Sequence, residues 1–352
     1  MEIRLFDRRK KAILLRLVPL FLACLQMPAW TQSKTVIDWS SLKNPILTYP
    51  HWSIKDAAMA YRDGTFYVFF SAFYLDSGMI RSHVVEVSTH DFKHYSTPLL
   101  NFDGRKDGWA GMCSPDVEQA KGQYILTFNS WGDTENQVAM PSRRDSLFYM
   151  TSRDLMHWSR RKPLATNLTV GQSAIDAAMA PTDHGYYLIW KERKGMTPQI
   201  AVARSLEGTF RLVKDGHPKL LTKEGREDGL IHENYQFVHI NGTWYLLTTD
   251  YTQPPPGKMA LDPAPYLYRL DPKSKWLKWT QGYKLNIPVE AFNPDNIANA
   301  AALYDWRRHD GYYYLLYAGR KDEGSYAGRG WNSLGFARSK DLVHWTVAGV
   351  ME

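Results

Sequence analysis

The pentapeptide DAAMA occurs twice, at 56–60 within WSIKDAAMAYRDGTFYVFF and at 176–180 within QSAIDAAMAPTDHGYYLIW, each time with an acid at the head of an apolar run. Related segments head their runs with Asp116 in SPDV, Glu233 in HENY and, when NAAAL is matched to DAAMA, Asn299. A single acid at a strand end is ordinarily a solvated group. Four carboxylates at matched positions gain chemical meaning if the fold brings them together, because like charges at close quarters raise at least one pKa while others stay ionised. Such a division places a proton donor beside a proton acceptor, which general acid–base catalysis requires. Glycosidic bonds are cleaved by a pair of this kind, with inversion at carboxyl separations of ~6.5–9.5 Å and retention at ~5–5.5 Å.

The elements that must position these acids repeat along the chain. AYRDGTFYVFFS, EQAKGQYILTFNS, APTDHGYYLIWK, FVHINGTWYLLTT and YDWRRHDGYYYLLYAG each read as a hairpin: β-prone residues, a short Gly-containing turn, then aromatic and β-branched residues. The turn glycines Gly64, Gly122, Gly185, Gly242 and Gly311 recur roughly every sixty residues. A second signature trails several copies, STHDFKHYS (88–96), TSRDLMHWS (151–159) and ARSKDLVHWT (337–346), whose Ser and Asp suit a turn backbone and whose ring suits the gap to the next sheet. Two hairpins in sixty residues make a four-stranded antiparallel sheet, and radial repetition of that sheet predicts an all-β, five-bladed β-propeller. A two-sheet sandwich leaves the fixed period unexplained. In a propeller the first strand of every blade lines the axis, so acids remote in sequence converge there. The stretches DYTQPPPGKMALDPAPY (250–266) and GRKDEGSYAGRGWNS (319–333) read as loops suited to walling a cleft.

Composition narrows the function classes. The net charge of +7 is concentrated in residues 1–30, which hold six basic side chains against two acidic ones, and no later basic run resembles a phosphate-binding footprint. No nucleic-acid partner is expected. DRRKKAILLR followed by LVPLFLACLQMPAW has the order of a secretory signal peptide and is short for a membrane span. The expected organisation is therefore a signal peptide over 1–32, cut between Ala23 and Ser33, and one propeller over 33–352, secreted or periplasmic; lipidation at Cys24 or an uncleaved anchor are the alternatives. After cleavage Cys113 is the sole cysteine, which excludes an intramolecular disulfide and a Cys-based zinc site. Aromatic residues make up 14%, a fraction that suits strand cores and also the ring faces of sugar clefts.

Together, Asp56 ahead of a DG-turn hairpin, SPDV (114–117), AIDAAM (174–179) running into GYYLIWKER, Glu233 ahead of NGTWYLL and the trailing SxDLxxW signature give the chain a resemblance to glycoside hydrolase family 43, over roughly residues 45–350. The resemblance implies a glycosidase acting on arabinofuranosyl- or xylosyl-type bonds of plant-type oligo- or polysaccharides, exo-acting and inverting. It makes Asp56 the general base, Asp176 the residue that tunes the acid's pKa and Glu233 the general acid, with Asp116 in support. Trp52, Trp109, Trp131, Lys191, His232, Asn299 and Arg320 are the candidate sugar contacts. Family members commonly carry Pro after the first Asp and Gly-Pro after the acid, where this chain has Ala57 and Asn234-Tyr235. Many relatives have a fifth-blade histidine that accompanies a structural calcium ion; no counterpart stands near Asn299, so no metal or other cofactor is assigned. The competing readings are a retaining, fructoside-cleaving propeller with Asp56 as nucleophile, and a non-catalytic carbohydrate-binding propeller. A protein-interaction propeller has no need of axial acids.

Overall fold

Hairpins form where the sequence marks them. Asp63-Gly64, Lys121-Gly122 and Asn241-Gly242 all have positive φ at both central residues, from 49° to 85°. That is the type I′ turn, whose twist matches the flanking strands and which favours Asn, Asp and Gly. The computed structural model describes residues 37–132, 146–192, 195–252, 263–294, 297–320 and 333–349, all within the compact unit Thr35–Glu352. The expected signal peptide and most of the two expected cleft-walling loops lie outside the described residues.

A short strand β1 (Leu47–Thr48) precedes five antiparallel meanders. The first comprises β2 (Ser53–Arg62), β3 (Thr65–Asp76), β4 (Met79–Thr89) and β5 (Leu100–Phe102). The second comprises β6 (Gly111–Ala120), β7 (Gln123–Trp131), β8 (Leu147–Ser152) and β9 (Lys162–Pro163), and the third β10 (Ala174–Thr182), β11 (Gly185–Glu192), β12 (Thr197–Ala203) and β13 (Arg211–Leu212). In the fourth, β14 (Lys219–Thr222) runs parallel to the last strand of β15 (His232–Ile240), β16 (Thr243–Asp250), β17 (Ala264–Leu270) and β18 (Lys278–Lys284). The fifth is β19 (Asn299–Asp305), β20 (Tyr313–Gly319), β21 (Ser333–Ser339) and β22 (Trp345–Val347).

Where the sequence predicts separate sheets of four strands, hydrogen bonding gives sheets of four, five, five and eight. The eight-stranded sheet arises because one parallel bridge, Ser82 to Gly111, joins the first two meanders. Only glycine fits there: a Cβ on Gly111 would lie 2.2 Å from the Ser82 carbonyl oxygen. Numbered by meander, the fifth sheet gains β1, which shares the outer edge of β21 with β22, so both ends of the described unit stitch one sheet. Asn44 locks that seam by accepting from the Phe336 N–H at 2.8 Å and donating to Glu290 at 2.7 Å.

The first strands β2, β6, β10, β15 and β19 pack against one another in chain order, and β19 returns to β2. Each gap between neighbouring meanders holds an apolar core, built around Phe70 and Phe336, Phe69 and Phe128, Trp190 and Ile125, Trp279 and Ile189, and Leu315 and Leu247. The trailing signature builds a turn as its residues suggest. Ser152 Oγ accepts from the Leu155 N–H at 2.9 Å, and Asp154 accepts from the His157 N–H at 2.8 Å. Its Trp158 reaches back rather than forward, donating to Glu86 of the first meander at 2.8 Å.

Candidate active site

Every first strand slips register by one residue at its axial end, between Lys55 and Ala58, Cys113 and Asp116, Ile175 and Ala178, Glu233 and Gln236, and Asn299 and Ala302. The extra residue of each bulge is left-handed: Asp56 (φ 55°), Ser114 (55°), Asp176 (55°), Asn234 (50°) and Ala300 (45°). Five non-glycine residues in that conformation form a ring of local strain, a feature that clusters at functional sites. The bulge also corrects the alignment of the acids. Asp56 and Asp176 are equivalent, but Ser114 rather than Asp116 occupies their position in the second strand. Asn234 rather than Glu233 occupies it in the fourth, and Ala300 rather than Asn299 in the fifth.

The five bulges enclose a narrow axial cavity of about 20 Å³, lined by Asp56, Ser114, Asp116, Asp176, Asn234 and Ala300 among others. That is room for about one water. Asp56 is buried and accepts from Asn234 Nδ2 at 2.9 Å, with Lys55 Nζ at 3.2 Å. Asp176 accepts from Ser114 Oγ at 2.6 Å. Each of these two carboxylates keeps one buried oxygen, Oδ2, without a hydrogen-bond partner. Buried polar atoms are almost always satisfied, so two orphaned carboxylate oxygens at one axis mark a place for a donor that arrives with substrate or water.

Glu233 stands one residue outward, on the mouth side of the bulge. Its carboxylate forms an ion pair with Lys191, whose side chain is 1% exposed while that of Glu233 is 16% exposed. Burial raises the Glu233 pKa against the pull of Lys191, and the nearby Asp176 charge pushes the same way. Burial likewise raises Asp56, opposed by Lys55 and reinforced by Asp176. Lys55 also acts on Glu233, which places all three acids and two ammonium groups in one electrostatic hub.

A repeated device fixes this geometry. The second-strand residue facing the bulge accepts the bulge N–H of the next sheet: Ser71 from Ser114 at 2.8 Å, Asn129 from Asp176 at 3.0 Å and Thr249 from Ala300 at 3.1 Å. Lys191 and Ala318 occupy this position in the third and fifth sheets and have no acceptor to offer; the Lys191 ammonium turns to Glu233 instead. Two residues deeper, Asp116 Oδ2 takes the Met179 N–H at 3.4 Å, as Gln236 takes the Leu303 N–H at 2.7 Å. Asp116 is thus an inter-sheet link, with its pKa raised to about 7 by burial.

The remaining candidates divide. Asn299 is fully buried near the hub, donating to the Tyr251 hydroxyl at 3.4 Å, and the Tyr251 ring lies 5.7 Å from Lys55 Nζ. Trp131 sets its edge on Phe73 at 5.1 Å, beside the same ammonium. Trp52 packs between Tyr49 and His83 at the mouth end of β2, and Arg320 follows the mouth end of β20. Trp109 packs on Phe148 and the Arg161 guanidinium, away from the hub. His232 also points away: strand alternation turns it from Glu233 toward Asp228, which it meets at 3.0 Å. Lys55, Ser71, Ser114, Asn129, Asn234 and Tyr251 went unnoticed in the sequence. Counting eight residues back from the type I′ glycines finds Asp56, Ser114 and Asn234 at once. The fifth sheet brings Asn299 and Ala300 to the axis without a histidine, and no group of three or more His, Cys, Asp or Glu among the described residues is placed to hold a metal. No step is routed through a metal.

No family model and no curated protein matches the chain. Solved structures do. A glycosyl hydrolase from Bacteroides ovatus superposes with a TM-score of 0.59 at 14% identity, over 92% of this chain and 98% of that one. A structure from glycoside hydrolase family 130, a family of mannoside phosphorylases that contains hydrolases targeting β-1,2 mannosidic linkages in Candida mannan, gives 0.59 at 15% identity over 92% and 98%. An exo-1,5-α-L-arabinanase from a bovine ruminal metagenomic library gives 0.54 at 12% identity over 86% and 99%. At these identities the likeness is one of fold. The chain is all-β and shares the propeller-like fold of glycosidases, without being tied to family 43 alone. No helix among the described residues is long and apolar enough to cross a membrane.

Proposed function

We propose that the chain is a glycoside hydrolase on a five-bladed propeller, each meander a blade, with β1 and β22 closing the fifth. The observation that carries this reading is the convergence of Asp56, Asp176 and Glu233 from the first, third and fourth meanders on one buried hub, where two carboxylate oxygens lack partners. Water placed at Asp56 gives it a proton while its oxygen bonds to the anomeric carbon. Glu233 passes its proton to the glycosidic oxygen as the carbon–oxygen bond breaks. Asp176 is held by Ser114 and the Asn129-bound backbone, and its charge raises the pKa of Glu233. The substrate reading carried by the resemblance is an arabinofuranosyl or xylosyl unit of a plant-type saccharide, released from a chain end with inversion, by a protein exported through its N-terminal segment.

Glu233→Gln and Asp56→Asn each remove one proton-transfer partner, and each is expected to lower turnover by about 10²–10⁴-fold with an unchanged circular dichroism spectrum. Nitrophenyl glycosides of arabinofuranose, xylose, galactose and fructose, with the anomer of the first product read by proton NMR, test reaction and stereochemistry together. Near-wild-type turnover in either variant, or sugar binding without turnover in the wild type, defeats the proposal.

A further inference from the structure

The acid of the proposed reaction is held by a cation. Lys191 is 1% exposed and its ammonium pairs with Glu233, at the position where three other sheets use Ser71, Asn129 and Thr249 as neutral acceptors and the fifth has Ala318. A carboxylate bound to an ammonium is poorly suited to carry a proton. When Glu233 takes one, Lys191 is left as a buried charge without its anion, a state that proteins avoid. A neutral sugar cannot take the place of that anion, but a second carboxylate can. Glu233 must face the leaving-group oxygen, so the second carboxylate belongs to the leaving saccharide.

We infer that the substrate is an acidic polysaccharide, in which the released pentosyl unit is attached to a uronic acid whose carboxylate takes over Lys191 and frees Glu233 for its proton. This rests on the hydrolase reading. Anion binding draws one proton from solvent onto Glu233. That proton goes to the glycosidic oxygen as the bond breaks, Asp56 receives a proton from the attacking water, and Lys191 is paired first with Glu233 and then with the uronate. Around Glu233 the other charges are Asp176 and Lys55, and neither supplies a free anion at the mouth: Asp176 lies deeper, and Lys55 adds positive charge that favours the uronate further.

The test compares xylosylated and arabinosylated oligogalacturonides with the same oligosaccharides after carboxyl reduction. The wild type is expected to favour the acidic member by roughly 100-fold or more in kcat/KM, since a site built to bind a charged group rejects an analogue lacking it. Lys191→Met should abolish the preference and Lys191→Arg should keep it. Equal or better cleavage of the reduced twin by the wild type, or a preference that survives Lys191→Met, overturns the inference. Calorimetry of galacturonate binding to the wild type, in two buffers of different ionisation enthalpy, gives a reading independent of any variant's folding. Uptake of about one proton supports the inference, and binding without uptake, or no binding, overturns it. Nitrophenyl pentosides have a leaving group that needs little protonation. Their cleavage without an acidic preference removes this inference alone, whereas failure to cleave them or any oligosaccharide removes the hydrolase reading as well.

Discussion

Ser114 and Asp116 are two residues apart, and the bulge assigns them opposite weights. Ser114 Oγ donates to Asp176 at 2.6 Å, and both groups are buried. A hydrogen bond to a carboxylate contributes about 1.5–3 kcal/mol, equivalent to roughly 10- to 150-fold in whatever depends on Asp176 being held in place. Ser114→Ala also leaves a second oxygen of Asp176 without a donor, since Oδ2 already lacks one. Asp116 accepts one backbone N–H, the same task Gln236 performs in the fourth sheet. Burial raises the Asp116 pKa, and Asn offers an equivalent acceptor without charge. Steady-state kinetics on a cleaved nitrophenyl glycoside should therefore show Ser114→Ala losing about 10- to 100-fold in kcat/KM, while Asp116→Asn loses no more than a few-fold. The reverse order would refute the register argument and restore Asp116 as the functional acid of the second strand.

The pH profile of kcat/KM should be a bell with both limbs above the ordinary carboxylate range, because burial raises both Asp56 and Glu233. Activity falls on the acid side as the base Asp56 is protonated and on the alkaline side as Glu233 loses its proton; a bell centred below pH 4 would contradict the placement of both groups in the hub. Glu86 makes a second, structural test. It is fully buried, its pKa is raised to about 8 by burial and lowered somewhat by the Trp158 hydrogen bond. The unfolded chain ionises this group above about pH 4.5 while the folded chain holds its proton, so the stability Glu86 allows is lost as pH rises from 4.5 toward 8. Glu86→Gln should raise unfolding free energy at pH 7 by about 2–3 kcal/mol and flatten that slope in denaturant titrations; unchanged stability at pH 7 would show that Glu86 is not held neutral.

The parts of this site that can be read along the chain are those fixed by local chemistry. Asp63-Gly64 and Asn241-Gly242 announce their turns because few residues tolerate two positive φ values in succession, and the turns in order announce the meanders. The identities of Asp56, Asp176 and Glu233 follow because an acid heading a buried strand is rare enough to notice. Their register does not follow as easily. Asp56 and Ser114 stand eight residues before their type I′ glycines, but in the third hairpin the two-residue loop is Asp183-His184 and Gly185 already opens the next strand, while a short helix, Arg307–Asp310, lengthens the fifth. In the second and fourth strands the bulge residues are Ser114 and Asn234 rather than acids, so alignment by residue type falls on Asp116 and Glu233, which sit below and above the bulge. Lys191 was harder still. Its role depends on the third sheet's second strand facing the fourth sheet's first, a contact between elements 42 residues apart. In sequence Lys191 is one cation closing an apolar strand. Only beside Ser71, Asn129 and Thr249, three neutral acceptors at the same position of their sheets, and Ala318 in the fifth, does it stand out as the one charged residue at that position. A repeat that gives up such a bond at two seams, at Lys191 and at Ala318, and at only one of them sets a buried ammonium against the acid, has the asymmetry that chemistry requires of an otherwise symmetric ring.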